Sequence, residues 1–184
     1  MFVVEGDLLM TRDEVQAHLA QIGARQSRGG YSPELIVNLR NNEPDFWRDP
    51  AARTLSYAVQ RDSFSSEDQY RLVIEAMRRA TQDWEAACPN CDISFKHRSE
   101  HDAAPSHEKV TFIARQFDSR GDYIAAAFFP SSPAFKRYLN IDPTFFSTRF
   151  NRDGVLRHEI GHIPRSPMNL KVCVTPVNYT PRSF

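Results

Sequence analysis

The chain has no excess charge of either sign, because 23 Lys and Arg residues balance 23 Asp and Glu among its 184 residues. It therefore lacks the field that gathers nucleic acid or an anionic membrane surface, and neither is expected as a partner. No run approaches the ~18 apolar residues that a membrane-spanning helix needs. The apolar opening Phe2-Val3-Val4 is broken at once by Glu5 and Asp7, so neither a transmembrane segment nor a signal peptide is expected. Cysteine is scarce, and its three copies cannot all pair within one chain. Cys88 and Cys91 form a lone C-x-x-C; a zinc ribbon needs a second, which Cys173 alone does not supply. The pair also follows a predicted helix, the reverse of the order in thioredoxin-type redox sites. A local disulfide or two buried thiols is the simpler reading, with a redox or metal role left open. Internal repeats and low-complexity blocks are absent.

What is present suits one soluble globular core: 41% hydrophobic and 25% charged residues over a length that does not comfortably hold two domains. Residues 1–50 are expected to form an N-terminal appendage, with a propeptide-like role left open. Within it Thr11 and Glu14 make a capping box, Val15, Leu19 and Ile22 share a helical face, and Gly23 is placed to end the helix. A loop from Arg25 to Tyr31 and a short strand through Leu35, Val37 and Leu39 follow. Residues 51–163 form the main domain. Alternation predicts strands at 55–59, 93–97, 110–117, 123–129 and 138–141. Ser66 with Gln69 caps a long helix to Ala87 whose face is kept by Tyr70, Val73, Ile74, Met77, Trp84 and, just past its end, Cys88. A second helix is predicted from about Thr148 to His162, stopped by Pro164, which cannot donate to the previous turn. Residues 164–184 read as an irregular tail, since the stretch from Ile163 holds four of the twelve prolines, three basic residues and no acid.

The second helix contains His158-Glu159-Ile160-Gly161-His162, an H-E-x-x-H. Positions i and i+4 are neighbours on one helical face, so both imidazoles can reach one zinc ion, while Glu159 lies beside it to accept a proton from the attacking water. In a chain with six His and ten Glu the pattern arises by chance in roughly one case in a hundred, so the motif needs its helical context to carry weight.

Gly154-Val155-Leu156-Arg157-His158-Glu159-Ile160-Gly161-His162-Ile163 resembles the active-site helix of metzincin zinc peptidases, in particular of bacterial matrixin-like proteins. The likeness extends upstream through Val4-Glu5-Gly6-Asp7, Leu55-Ser56-Tyr57-Ala58-Val59, Ala80-Thr81-Gln82-Asp83-Trp84-Glu85, Ala125-Ala126-Ala127-Phe128-Phe129-Pro130 and Ile141-Asp142-Pro143, in the order that family would have. The resemblance implies an α+β fold: a metzincin-like twisted mixed sheet with a long backing helix and an active-site helix, and a cleft between that helix and the edge strand. It implies Zn2+ as cofactor, His158 and His162 as metal ligands, Glu159 as the catalytic general base, and a peptide or protein substrate lying extended beside the 125–129 strand. It also suggests export.

The chain departs from the family pattern after His162. The full motif continues with a Gly that turns the chain and a third His that completes the zinc site; here Arg165 and Met168 stand at those positions. No Asp or Glu follows Glu159, and no His follows His162, so a downstream carboxylate ligand is excluded as well. Cys173 is the one strong zinc-binding side chain beyond the motif, and as a lone cysteine in a tail it is an ordinary residue first. Pro164-Arg165-Ser166-Pro167 is permitted by the genetic code as a one-base-shifted reading of Leu-Gly-Leu-Arg, which makes a frameshifted or truncated C-terminal part the preferred explanation. The expected activity is thus a zinc-dependent endopeptidase impaired by a missing third ligand; the alternative is a noncatalytic or vestigial peptidase scaffold that binds peptides.

Two further motifs are given ordinary roles. His97, His101, Asp102 and His107 have the residue types of the structural zinc site found in matrixins, but not the spacing, and a solvated loop is expected. Arg120-Gly121-Asp122 is explained by a glycine-containing turn between strands.

Overall fold

A computed structural model describes residues 45–163, apart from Cys88, Asn90, Cys91, Thr148 and Phe150, together with short strand segments nearer the N-terminus and Gln16. Those segments are two antiparallel pairs, β1 (Phe2–Val4) with β2 (Leu8–Met10) and β3 (Leu39–Arg40) with β4 (Glu43–Pro44). Of the helix expected from Thr11 to Gly23 only Gln16 is described, as helical. The expected 25–31 loop, most of the Leu35–Leu39 strand, the C-x-x-C pair and the tail with Cys173 lie outside the described residues.

The main sheet has five strands in the order β6-β5-β7-β9-β8. These are β5 (Thr54–Val59), β6 (Ser94–His97), β7 (Phe112–Gln116), β8 (Ala125–Ala126) and β9 (Tyr138–Ile141). The first four positions run parallel, and β8 closes one edge antiparallel to β9. Period-two alternation sorts the side chains of the central strands. Leu55, Tyr57, Val59, Phe112, Ala114, Leu139 and Ile141 enter the large core, whereas Ala58, Ile113 and Tyr138 meet Val110 on the other face.

The large core is closed by helix α1 (Glu67–Ala87), which buries Tyr70, Val73, Ala76, Met77, Ala80 and Thr81 at helical spacing. Ser66 Oγ accepts the Gln69 N–H at 3.3 Å, the expected cap, but the Gln69 amide oxygen accepts from Ser65 rather than from Ser66. Helix α2 (Arg152–His162) packs beside α1 and carries Leu156 and Ile160 into the same core. The observed architecture is the expected α+β one, a mixed sheet with a long backing helix and a motif helix.

The second helix starts four residues later than the sequence suggests. Asn151 caps it, its side chain accepting the Asp153 and Gly154 N–H groups. A 3-10 turn, Pro143–Phe146, precedes it, and the Arg152 guanidinium donates to the carbonyls of Phe145 and Phe146 at 3.1 and 2.5 Å. The strand expected at 123–129 shrinks to Ala125–Ala126, which pair with Ile141 and Asn140. Ala127, Phe128 and Phe129 are nevertheless buried.

Candidate metal centre

Helix α2 brings the two motif histidines together. The Nε2 atoms of His158 and His162 lie 3.2 Å apart, with the rings nearly perpendicular and their centroids 4.8 Å apart. Two nitrogens of one tetrahedral zinc ion, each at 2.0–2.1 Å, are separated by about 3.3 Å. The observed separation is compatible with that spacing and is equally that of an N–H···N hydrogen bond between the two rings. His158 is exposed, whereas His162 and Glu159 are buried. One side of the pair is thus open to incoming ligands and the other is seated in the protein.

The chain running on from β8 forms the opposite wall. Phe129 meets the His162 ring edge-on at a centroid distance of 6.2 Å. Among the described residues strand β8 pairs only with β9, and α2 packs against it. The motif helix therefore lies against the edge strand of the described sheet, whose residues Ala125 and Ala126 are buried.

Two tryptophans that the sequence reading did not assign to the site hold the motif helix. Trp84, on α1, donates its indole N–H to the Arg157 carbonyl at 2.6 Å. Its ring lies where a side chain at Gly161 would stand, so glycine is required there by space. Trp47 donates its indole N–H to the Ile163 carbonyl at 2.8 Å. Nearby, Asp45 accepts the backbone N–H and the hydroxyl of Ser131, just beyond Phe129. Outside this contact zone, Arg79 pairs with Asp153 and Arg157 with Asp83, linking the exposed flanks of the two helices.

The cluster of His97, His101, Asp102 and His107 is not a solvated loop throughout, which corrects the expectation. Asp102 is buried at the junction of sheet and helix, accepting the Val59 N–H at 2.7 Å, the Tyr70 hydroxyl at 2.6 Å and His97 Nε2 at 2.9 Å. The His97 ring stacks on Tyr57. Burial, then the hydrogen bond to Asp102, pushes the Tyr70 hydroxyl above its ordinary range, so it stays a donor to that carboxylate. His107 lies apart, with its ring edge on Tyr138. A carboxylate that three donors satisfy is a structural hub, and its spacing from His107 is set by the loop between. Among the described residues, no three His, Cys, Asp or Glu side chains converge as a metal cage. Arg120 and Gly121 both have positive φ in the turn before Tyr123, as a glycine-containing turn requires.

No protein-family model matches the sequence, and no curated protein matches it. Among solved structures the chain is similar to one described as the structure of myroilysin, with a TM-score of 0.40 and 13% sequence identity over 64% of this chain and 49% of that one. The chain spans about half the length of that structure. A likeness at that level leaves the assignment to the site's own geometry. No described helix is long and apolar enough to cross a membrane.

Proposed function

We propose that the chain is a zinc-dependent endopeptidase-like protein, with His158 and His162 as metal ligands and Glu159 as the general base. The observation that carries this reading is the 3.2 Å separation of the two Nε2 atoms on a helix that packs against the edge strand β8. When bound, zinc supplies Lewis acidity toward water and the scissile carbonyl.

The chain's own residues do the rest. A substrate peptide would lie extended beside the 125–129 segment, with its carbonyls in line beside α2. Phe129 packs edge-on against His162. Glu159, between the ligands in sequence and buried among core side chains, takes the proton of the attacking water and returns it to the leaving amine nitrogen, so that the peptide C–N bond breaks without free charge in the cleft.

Two imidazoles leave a tetrahedral ion short of one protein ligand beyond its water position, so the affinity of this chain for zinc should be low. The same shortage favours the second reading, a noncatalytic scaffold that keeps the peptide edge, because no three-residue cage forms among the described residues. Zinc content after dialysis, compared among the parent, His158→Ala, Cys173→Ala and Glu159→Gln, tests both. Zinc binding that His158→Ala abolishes and Glu159→Gln preserves, with peptide hydrolysis lost by at least about a hundredfold in Glu159→Gln, supports the peptidase. Peptide binding at the cleft with no zinc uptake and no hydrolysis supports the scaffold. Loss of zinc in Cys173→Ala would assign the missing ligand to Cys173.

A further inference from the structure

The chain has two tryptophans, and each donates its indole N–H to a main-chain carbonyl flanking the motif. Trp84 reaches Arg157, the residue before His158, at 2.6 Å; Trp47 reaches Ile163, the residue after His162, at 2.8 Å. We propose that the pair is a clamp of positioning residues that sets the rotation and depth of the motif helix, and through it the placement of His158 and His162. This rests on the reading of those histidines as metal ligands.

The two contacts act differently. The Arg157 carbonyl lies in the helix interior, where an α-helix already directs the i+4 N–H, that of Gly161, at the same oxygen. A carbonyl has two lone pairs, so Trp84 takes the second without breaking the ladder. The Trp84 ring at the same time occupies the space over Gly161. Hydrogen bond and ring contact together register α2 against α1 at one rotation. Turning the helix in either direction would drive the indole into the backbone or lose its acceptor.

Trp47 works at the end of the helix, where the last four carbonyls have no partner within the helix. Its donation to Ile163 satisfies one of them and stops the final turn from fraying beneath His162. Trp47 is itself held: the Arg137 guanidinium lies 4.8 Å from the ring centroid, and Arg53 Nε donates to the Trp47 carbonyl at 3.4 Å. Asp45, two residues earlier, binds Ser131. The 45–47 segment therefore ties the end of α2 to the loop after Phe129 and fixes the spacing between the ligand helix and the far wall of the cleft. Zinc coordination tolerates ligand displacements of only about 0.2 Å, so a small change in helix pose is enough to weaken the site.

Replacing each tryptophan with 3-benzothienylalanine removes only the N–H and keeps the ring, and Trp84→Phe and Trp47→Phe provide genetically simple partners. Two readouts are taken on the full chain. In metal-free protein, amide hydrogen exchange over 157–163 is compared with exchange over Phe112–Gln116 in β7. The clamp requires exchange in the motif segment to rise by about tenfold in each isostere while β7 is unchanged. Unchanged exchange at 157–163, or an equal rise in β7, overturns the clamp. Zinc titration of the same proteins should show affinity about tenfold weaker in each isostere than in the parent; equal affinity in parent and isosteres overturns the link to the ligands. A parent that takes up no zinc overturns the proposed metal site, and the exchange comparison then decides the clamp alone.

Discussion

Cζ2 of Trp84 lies 2.5 Å from the point where a Cβ on Gly161 would stand, closer than two carbon atoms can approach. The glycine inside the H-E-x-x-H is therefore set by the backing helix. Ala at 161 would raise intrinsic helix propensity, yet Gly161→Ala is expected to destabilise the fold by about 1–3 kcal/mol because an indole ring must move. Urea unfolding of Gly161→Ala, Trp84→Phe and the double variant checks this. A coupling that restores part of the loss in the double variant is expected; additive losses would show that the two positions do not meet.

Removing the Asp102 carboxylate should be among the costliest changes in the domain. Asp102→Ala strands the buried Val59 N–H and the Tyr70 hydroxyl together and releases His97, at a cost of about 3–5 kcal/mol. Thermal unfolding measures it, and a change within half a kcal/mol of zero contradicts the hub.

Asp142 should protect the fold against acid. Its burial raises the cost of the anion, but hydrogen bonds from Ser119 and Thr144 outweigh that and hold the carboxyl down at about 2. An unfolded aspartate titrates near 3.9. The folded value is the lower one, so the contribution is fully present above about pH 4 and is lost as pH falls toward 2. Urea midpoints between pH 2 and 5 should fall more steeply for the parent than for Asp142→Asn, and parallel slopes would refute the assignment.

His107 should act at higher pH in the same direction. Burial first, then the charges of Arg137 and Arg115, lower its pKa below the ordinary histidine value, and neither ring nitrogen has a hydrogen-bond partner. The Tyr138 ring packs against it without offering a countercharge. Because the unfolded chain protonates first, at about 6.5, the neutral form's contribution is present above that pH and is lost as pH falls through the folded value. His107→Gln should flatten the stability profile between pH 5 and 7; an unchanged slope would place the acid sensitivity elsewhere.

The parts legible in the sequence were those encoded by local pattern. Apolar spacing marked α1 from Tyr70 to Trp84, alternation marked β5, β7 and β9, and the i, i+4 spacing of His158 and His162 put two imidazoles on one helical face, because side-chain direction follows directly from backbone period. The end of α2 at His162 was also legible, whereas its start was not: the chain first passes through a 3-10 turn, and Asn151 then supplies the cap. Partnerships between distant segments were left to the tertiary structure. Trp47 and Ile163 are 116 residues apart, and Asp102 and Val59 are 43 apart. Nothing local distinguishes a tryptophan that caps a helix from one that fills a core, or a loop aspartate that meets water from one that joins a helix to a strand. Burial made the difference. It turns an ordinary donor and acceptor into an obligatory pair, and only the packed chain decides which groups are withdrawn from water together.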